Sequence, residues 1–132
     1  MVLAFNKRFV PPILKGTKIH TIRVDQLDRW HAGRSIQMAT GVRTSAYKQF
    51  NADRPHLQSC ISTQRITIQY KTSFYNGRTF SGPVVKIDGK HLTALQIHEL
   101  AIADGFPNSD MFFEWFNTDT TGKIIHWTNK KY

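Results

Sequence analysis

The sequence predicts an α+β domain. Three observations carry this. Period-2 apolar alternation recurs, most cleanly in Arg65-Ile-Thr-Ile-Gln-Tyr70. Asn76-Gly77 stands between two extended stretches as a hairpin signal. Late in the chain Thr93 and Gln96 form a capping box with Leu92 and Ile97 as its staple, opening the best-marked helix.

In order, residues 2–5 form a short apolar run that reads as a buried first strand. Phe9-Val-Pro-Pro-Ile-Leu-Lys-Gly16 has room for one or two helical turns, with paired prolines suited to the start and Gly16 to the left-handed stop. Residues 18–24 follow as a strand; Ile19, Thr21 and Arg23 fall on one face, and Lys18, His20 and Ile22 on the other. Residues 25–31 are a polar connection, and residues 32–40 a turn and a strand with Ile36 and Met38 inward. Residues 41–55 show no period and are expected to form an irregular basic loop, a wall for a binding cleft.

Residues 56–70 read as extended, with Ile66, Ile68 and Tyr70 in register, and residues 71–75 and 79–80 flank the hairpin. Residues 83–88 form another strand, closed by Asp88-Gly89. In the following helix Leu95, Leu100 and Ala101 mark the packing face, and Gly105 is the residue after the C-cap. Asp104 then lies in the last turn, where the macrodipole disfavours a carboxylate; the simplest expectation is an exposed acid. Ser109-Asp110 caps a second helix over residues 111–116, whose Phe112, Phe113, Trp115 and Phe116 are expected in the core, and residues 123–128 form the last strand.

The 132 residues suit one domain with a core of its own, without disulfide or metal staples. Cys60 is the single cysteine, which excludes an intrachain disulfide and reads as a buried small hydrophobe in a reducing compartment. With no membrane-length apolar run and no signal-peptide pattern at the start, the expected location is cytoplasmic. Eighteen Lys plus Arg against nine acids give a net charge of +9, and seven of those bases fall in the first 34 residues. That balance favours a polyanionic partner, nucleic acid first. No glycine-rich phosphate loop follows a strand, and the six histidines lack metal-site spacing, so no metal or cofactor is expected.

Lys18, His20, Thr21 and Arg23 crowd one short segment, as either a half-exposed edge strand or a site. The order Ile13-Leu14-Lys15-Gly16, Lys18-x-x-Thr21-x-Arg23, a turn at Gly33, Ile87-Asp88-Gly89, Leu92-Thr93, Ala101-x-x-Asp104-Gly105-Phe106 and an aromatic-rich helix resembles the ASCH domain, a relative of the PUA fold. It covers nearly the whole chain, from residue 1 to 132, with residues 41–55 outside the match. The resemblance implies a small PUA-like β-barrel with flanking short helices, a cleft lined by residues 16–23, and RNA or a modified nucleoside as partner.

In one branch of that family, a bacterial N(4)-acetylcytidine amidohydrolase, the implied catalytic trio is Lys, Thr and Glu. Lys18 and Thr21 match the first two, and Asp104 stands in place of the Glu, one methylene shorter. In that scheme Thr21 is the nucleophile, Lys18 its base if burial or Arg23 lowers its pKa, and Asp104 the acid for the leaving amine. Lys18 and Thr21 can share a site only if Lys18 lies in the turn before the strand. Arg23, His20, Lys15 and Arg34 are the candidate substrate- or RNA-binding residues, with Arg23 alternatively a structural partner of Asp104. Two functions remain open: hydrolysis of an acylated cytidine-like nucleoside, or non-catalytic RNA binding through the same cleft. A ribonuclease is a third.

Overall fold

The strands form two sheets and the helices are short, as an α+β domain requires. The computed structural model describes the backbone of all 132 residues and every side chain except those of Ser73, Tyr75 and Phe80. A three-stranded sheet has the order β1 (Val2–Ala4), β3 (Gln37–Thr40), β4 (Lys48–Gln49), with β1 and β3 parallel. A five-stranded antiparallel sheet has the order β2 (His20–Arg23), β8 (Thr120–His126), β5 (Ser62–Tyr75), β6 (Arg78–Ile87), β7 (Lys90–His91). The two ladders do not close into a barrel; an isolated antiparallel bridge, Ser35 to Ser59, lies outside them.

One buried apolar cluster unites both sheets with the helices α1 (Val10–Lys15), α2 (Ala94–Ala103) and α3 (Ser109–Trp115). Ile36 and Met38 point inward as expected, and Cys60 is buried. β8 lies between β2 and β5, and its consecutive Ile124 and Ile125 are both fully buried, as in a strand covered on both faces.

Local chemistry explains most elements. The Thr93 hydroxyl accepts from Gln96 N while the Gln96 side chain accepts from Thr93 N, closing the capping box that starts α2. Tyr75 pairs with Arg78 across Asn76-Gly77. β6 is nonetheless one strand of ten residues rather than two pieces. Pro83 is accommodated because β7 pairs only with Lys86 and Ile87, so the proline occupies an open edge.

Four expectations are corrected. Residues 41–55 are not a wall of the cleft. They contain β4, and their fully buried Asn51 accepts from Met38 N and donates to Ile36 O and Leu57 O, fastening the loop to the core. The stretch after it opens with a 3-10 turn, Pro55–Leu57, before β5 begins. On α2 the buried residues are Leu100, Ala101 and Ala103, whereas Leu95 is 67 % exposed. Asn108, not Ser109-Asp110, caps α3 by accepting from Met111 N; Phe112 is buried but Trp115 is half exposed. Among the described residues, no helix is long and apolar enough to cross a membrane.

Candidate active site

The segment between α1 and β2 is positioned by backbone bonds before any side chain acts. Gly16 takes the left-handed conformation (φ 83°) that ends α1, and Thr17 N and Lys18 N both donate to Pro12 O at 2.9 and 3.0 Å. Ile19 N then donates to Ala103 O at 2.9 Å, tying this segment to the end of α2. Lys18 therefore precedes the strand, which begins at His20, and it joins Thr21 at one pocket.

Lys18 meets the C-terminus of α2 there. Its Nζ donates to Asp104 O at 2.5 Å and to Asp104 Oδ1 at 3.0 Å, with both residues buried. One ammonium thus balances the carboxylate and the negative end of the helix, so the acid is an interior ion pair and not an exposed acid. Burial nevertheless pushes Lys18 below the ordinary lysine value; Asp104 opposes the shift and Arg23 adds to it. Gly105, at φ 95°, makes the approach possible: a Cβ there would lie 2.9 Å from Lys18 Cδ and 3.1 Å from Phe9 Cδ1.

His20 completes the support of Asp104. Its Nδ1 lies 3.2 Å from Asp104 Oδ1 and its Nε2 lies 2.7 Å from the Tyr132 hydroxyl. Burial lowers the His20 pKa, so the ring is neutral; burial and the nearby Asp104 raise that of Tyr132, so the phenol keeps its proton. The assignment that satisfies every atom has Nδ1–H donating to the carboxylate and Tyr132 O–H donating to Nε2. Tyr132 is itself fastened through Gln64, whose Oε1 accepts from Tyr132 N and whose Nε2 donates to Tyr132 O. The ring of His126 packs edge-on against His20, with centroids 5.4 Å apart.

The pocket in front of this network has a volume of about 180 Å³. Its polar side chains are Asn6, Lys18, Thr21, Arg23 and Asp104, and aromatic walls come from Phe5, Phe9, Phe106, Trp115 and Phe116. That is smaller than the roughly 300–1,000 Å³ of most small-molecule sites and suits one planar ring rather than a whole nucleotide. Arg23 Nε donates to Thr21 Oγ1 at 3.1 Å, Nη2 donates to Ala4 O at 2.6 Å, and the guanidinium sits 4.9 Å from the Phe5 ring centroid. Arg23 thus hydrogen-bonds Thr21 rather than Asp104, whose charge reaches it through space. A cation donating to a hydroxyl oxygen favours its alkoxide form.

Of the predicted site residues, Lys18, Thr21, Asp104 and Arg23 converge. His20 is fully buried behind Asp104 and so supports the carboxylate instead of meeting a ligand. Lys15 is exposed at the end of α1, away from the pocket lining, and the Arg34 Nε donates to Arg29 O outside it. Asp104 Oδ1 accepts from Lys18 and His20, an arrangement that holds Lys18 at the pocket. Sequence reasoning missed Tyr132, which no local signal marks, and Arg8, whose guanidinium lies 5.3–5.7 Å from the ring centroids of Phe9, Phe106 and Trp115 beside the pocket.

Among the described residues, no group of three or more His, Cys, Asp or Glu is placed to hold a metal ion. A wider depression of about 750 Å³ lies by Asp25, Asp28 and Lys123, but these charges are spent on one another: Lys123 pairs with Asp25 at 3.1 Å and with Asp28. Comparison with protein-family models, curated proteins and solved structures gives no match to this chain.

Proposed function

We propose that the chain is a divergent ASCH-type, PUA-like domain that hydrolyses the exocyclic amide of an N(4)-acylated cytosine, carried by a nucleoside or an RNA. The observation that carries this reading is the convergence of Thr21, a buried Lys18 with a lowered pKa, and Arg23 at one aromatic-walled, ring-sized pocket.

In this mechanism the base stacks among the aromatic walls, and its acyl carbon faces Thr21. Lys18, in the neutral form that burial makes more accessible, takes the Thr21 hydroxyl proton while Oγ1 attacks that carbon, and the carbonyl electron pair moves onto oxygen. Arg23 stands beside Oγ1 to stabilise the developing negative charge. The tetrahedral adduct collapses with cleavage of the C–N bond. The Lys18 ammonium returns its proton to the departing exocyclic nitrogen, leaving cytosine and an ester on Thr21. Water then attacks the ester, again giving a proton to Lys18, and the carboxylic acid leaves as the Thr21 hydroxyl is restored. In the free protein Lys18 Nζ is held on Asp104, so transfer requires a short swing or one bridging water.

Rapid quenching of the protein with N(4)-acetylcytidine, followed by peptide mapping by mass spectrometry, tests this directly. An acetyl ester on Thr21 that is absent from Thr21→Val is the expected result. Turnover undiminished in Thr21→Val overturns the role of Thr21. The second reading, a binding module without chemistry, is favoured by the +9 charge, because phosphate contacts use cations without a nucleophile.

A further inference from the structure

Beyond the pocket, the hairpin of β5 and β6 has no part in the chemistry above. β8 pairs with β5 only as far as Ile68, and β7 pairs with β6 only at Lys86 and Ile87. From Gln69 to Val84 the two strands therefore form a free two-stranded arm, reaching about 20 Å past the sheet at ~3.4 Å per residue. From Arg54 to Ile87 the sequence holds no acid, and the arm carries Lys71 and Arg78. By strand alternation and register Lys71 and Arg78 fall on one face of the arm. On the other face Phe74 is 75 % exposed.

The arm is rooted at the pocket. Tyr70 O–H donates to Phe116 O, and Phe116 is one of the pocket walls. Tyr70 N donates to Asp119 Oδ1 at 2.8 Å, which caps the strand edge at the arm's base against another strand.

We propose that this narrow arm is a docking site for single-stranded RNA that crosses its edge, with Lys71 and Arg78 on phosphates at one face and Phe74 stacking on a base at the other. Charge selects the occupant. A second copy of the chain would set the same two cations against themselves in a two-fold contact, whereas a polyanion is complementary to them. Cations that take phosphates and an exposed aromatic that stacks a base, here on the two faces of one acid-free ribbon, are the groups that hold single strands with little sequence preference. The proposal rests on the reading of the pocket only in taking the acylated base to be carried by a polynucleotide; its readout is binding, so the two fail separately.

The test is fluorescence anisotropy with a fluorescein-labelled single-stranded RNA of about 12 nucleotides, inside the ~4–16 nucleotide range of such sites. Lys71→Gln/Arg78→Gln is expected to reduce the slope of log affinity against log salt by about 1.4, from two lost phosphate contacts. Phe74→Ala is expected to weaken binding roughly tenfold. Thermal unfolding of each variant verifies the fold, since all three side chains are exposed. Affinity and salt slope equal to wild type in both variants overturn the proposal. So does a wild-type protein that binds no RNA, or a sedimentation result showing that the arm substitutions dissociate a dimer.

Discussion

Replacing Asp104 by Asn probes whether Lys18 is a cation held against its surroundings. Lys18 and Asp104 are 3 % and 2 % exposed, and Asp104 Oδ1 accepts from both Lys18 and His20. Removing one partner of such a buried pair costs about 3–5 kcal/mol. Asn keeps an acceptor oxygen, and the backbone carbonyl of residue 104 still faces Lys18, so we expect the low end, about 2–3 kcal/mol at pH 7. The pH dependence is the sharper signature. Burial already sets the folded Lys18 below its ordinary value, and the variant loses the carboxylate that raises it. The folded lysine then releases its proton at lower pH than the unfolded one. Unfolding takes up a proton, and stability must rise with pH until the unfolded lysine titrates. Urea unfolding at intervals from pH 7 to pH 10 should show Asp104→Asn recovering up to about 1.4 kcal/mol per pH unit relative to wild type. A difference that stays constant over that range would refute the reasoning.

Two other substitutions test the frame around the pocket. His126, lowered to about 4 chiefly by burial and then by His20, leaves the folded state with fewer protons than the unfolded chain between its ordinary value near 6.5 and that point, so stability falls as pH drops through this window. His126→Phe should flatten that fall by about 1 kcal/mol at pH 5, after allowance for residual solvent, in urea unfolding; an unchanged acid limb would contradict it. Gly105→Ala forces a side chain into the left-handed region and against Lys18 Cδ, so it should destabilise by about 1–2 kcal/mol by thermal unfolding and slow turnover; wild-type behaviour in both would remove Gly105 from the account.

What could be read from the sequence was what neighbours decide. The box of Thr93 and Gln96 closes within one helical turn, Asn76-Gly77 fixes its own hairpin, and Gly16 ends α1 after two prolines have begun it. Alternation places Lys18 within a strand over residues 18–24 and opposite Thr21; only the resemblance, which needs both at one site, moves it ahead of the strand, and the strand indeed begins at His20. Asp104 was harder, because its partner Lys18 lies 86 residues away, and a carboxylate at a helix end looks solvated until a buried ammonium is found against it. The same distance hid Tyr132, 112 residues from His20. Residues 41–55 have no period because Asn51 anchors them with side-chain bonds to backbone, a device that leaves no pattern. Hydrophobicity alone places Trp115 in the core, whereas it walls the pocket half exposed.

The most direct test of the pocket chemistry is steady-state turnover of N(4)-acetylcytidine by the purified protein, beside a folded Lys18→Met control. Release of cytidine and acetate by wild type, with at least a hundredfold loss in the control, is the expected outcome for removal of a general base worth ~10²–10⁴-fold. No cytidine at high protein concentration, or equal rates in both proteins, would contradict it.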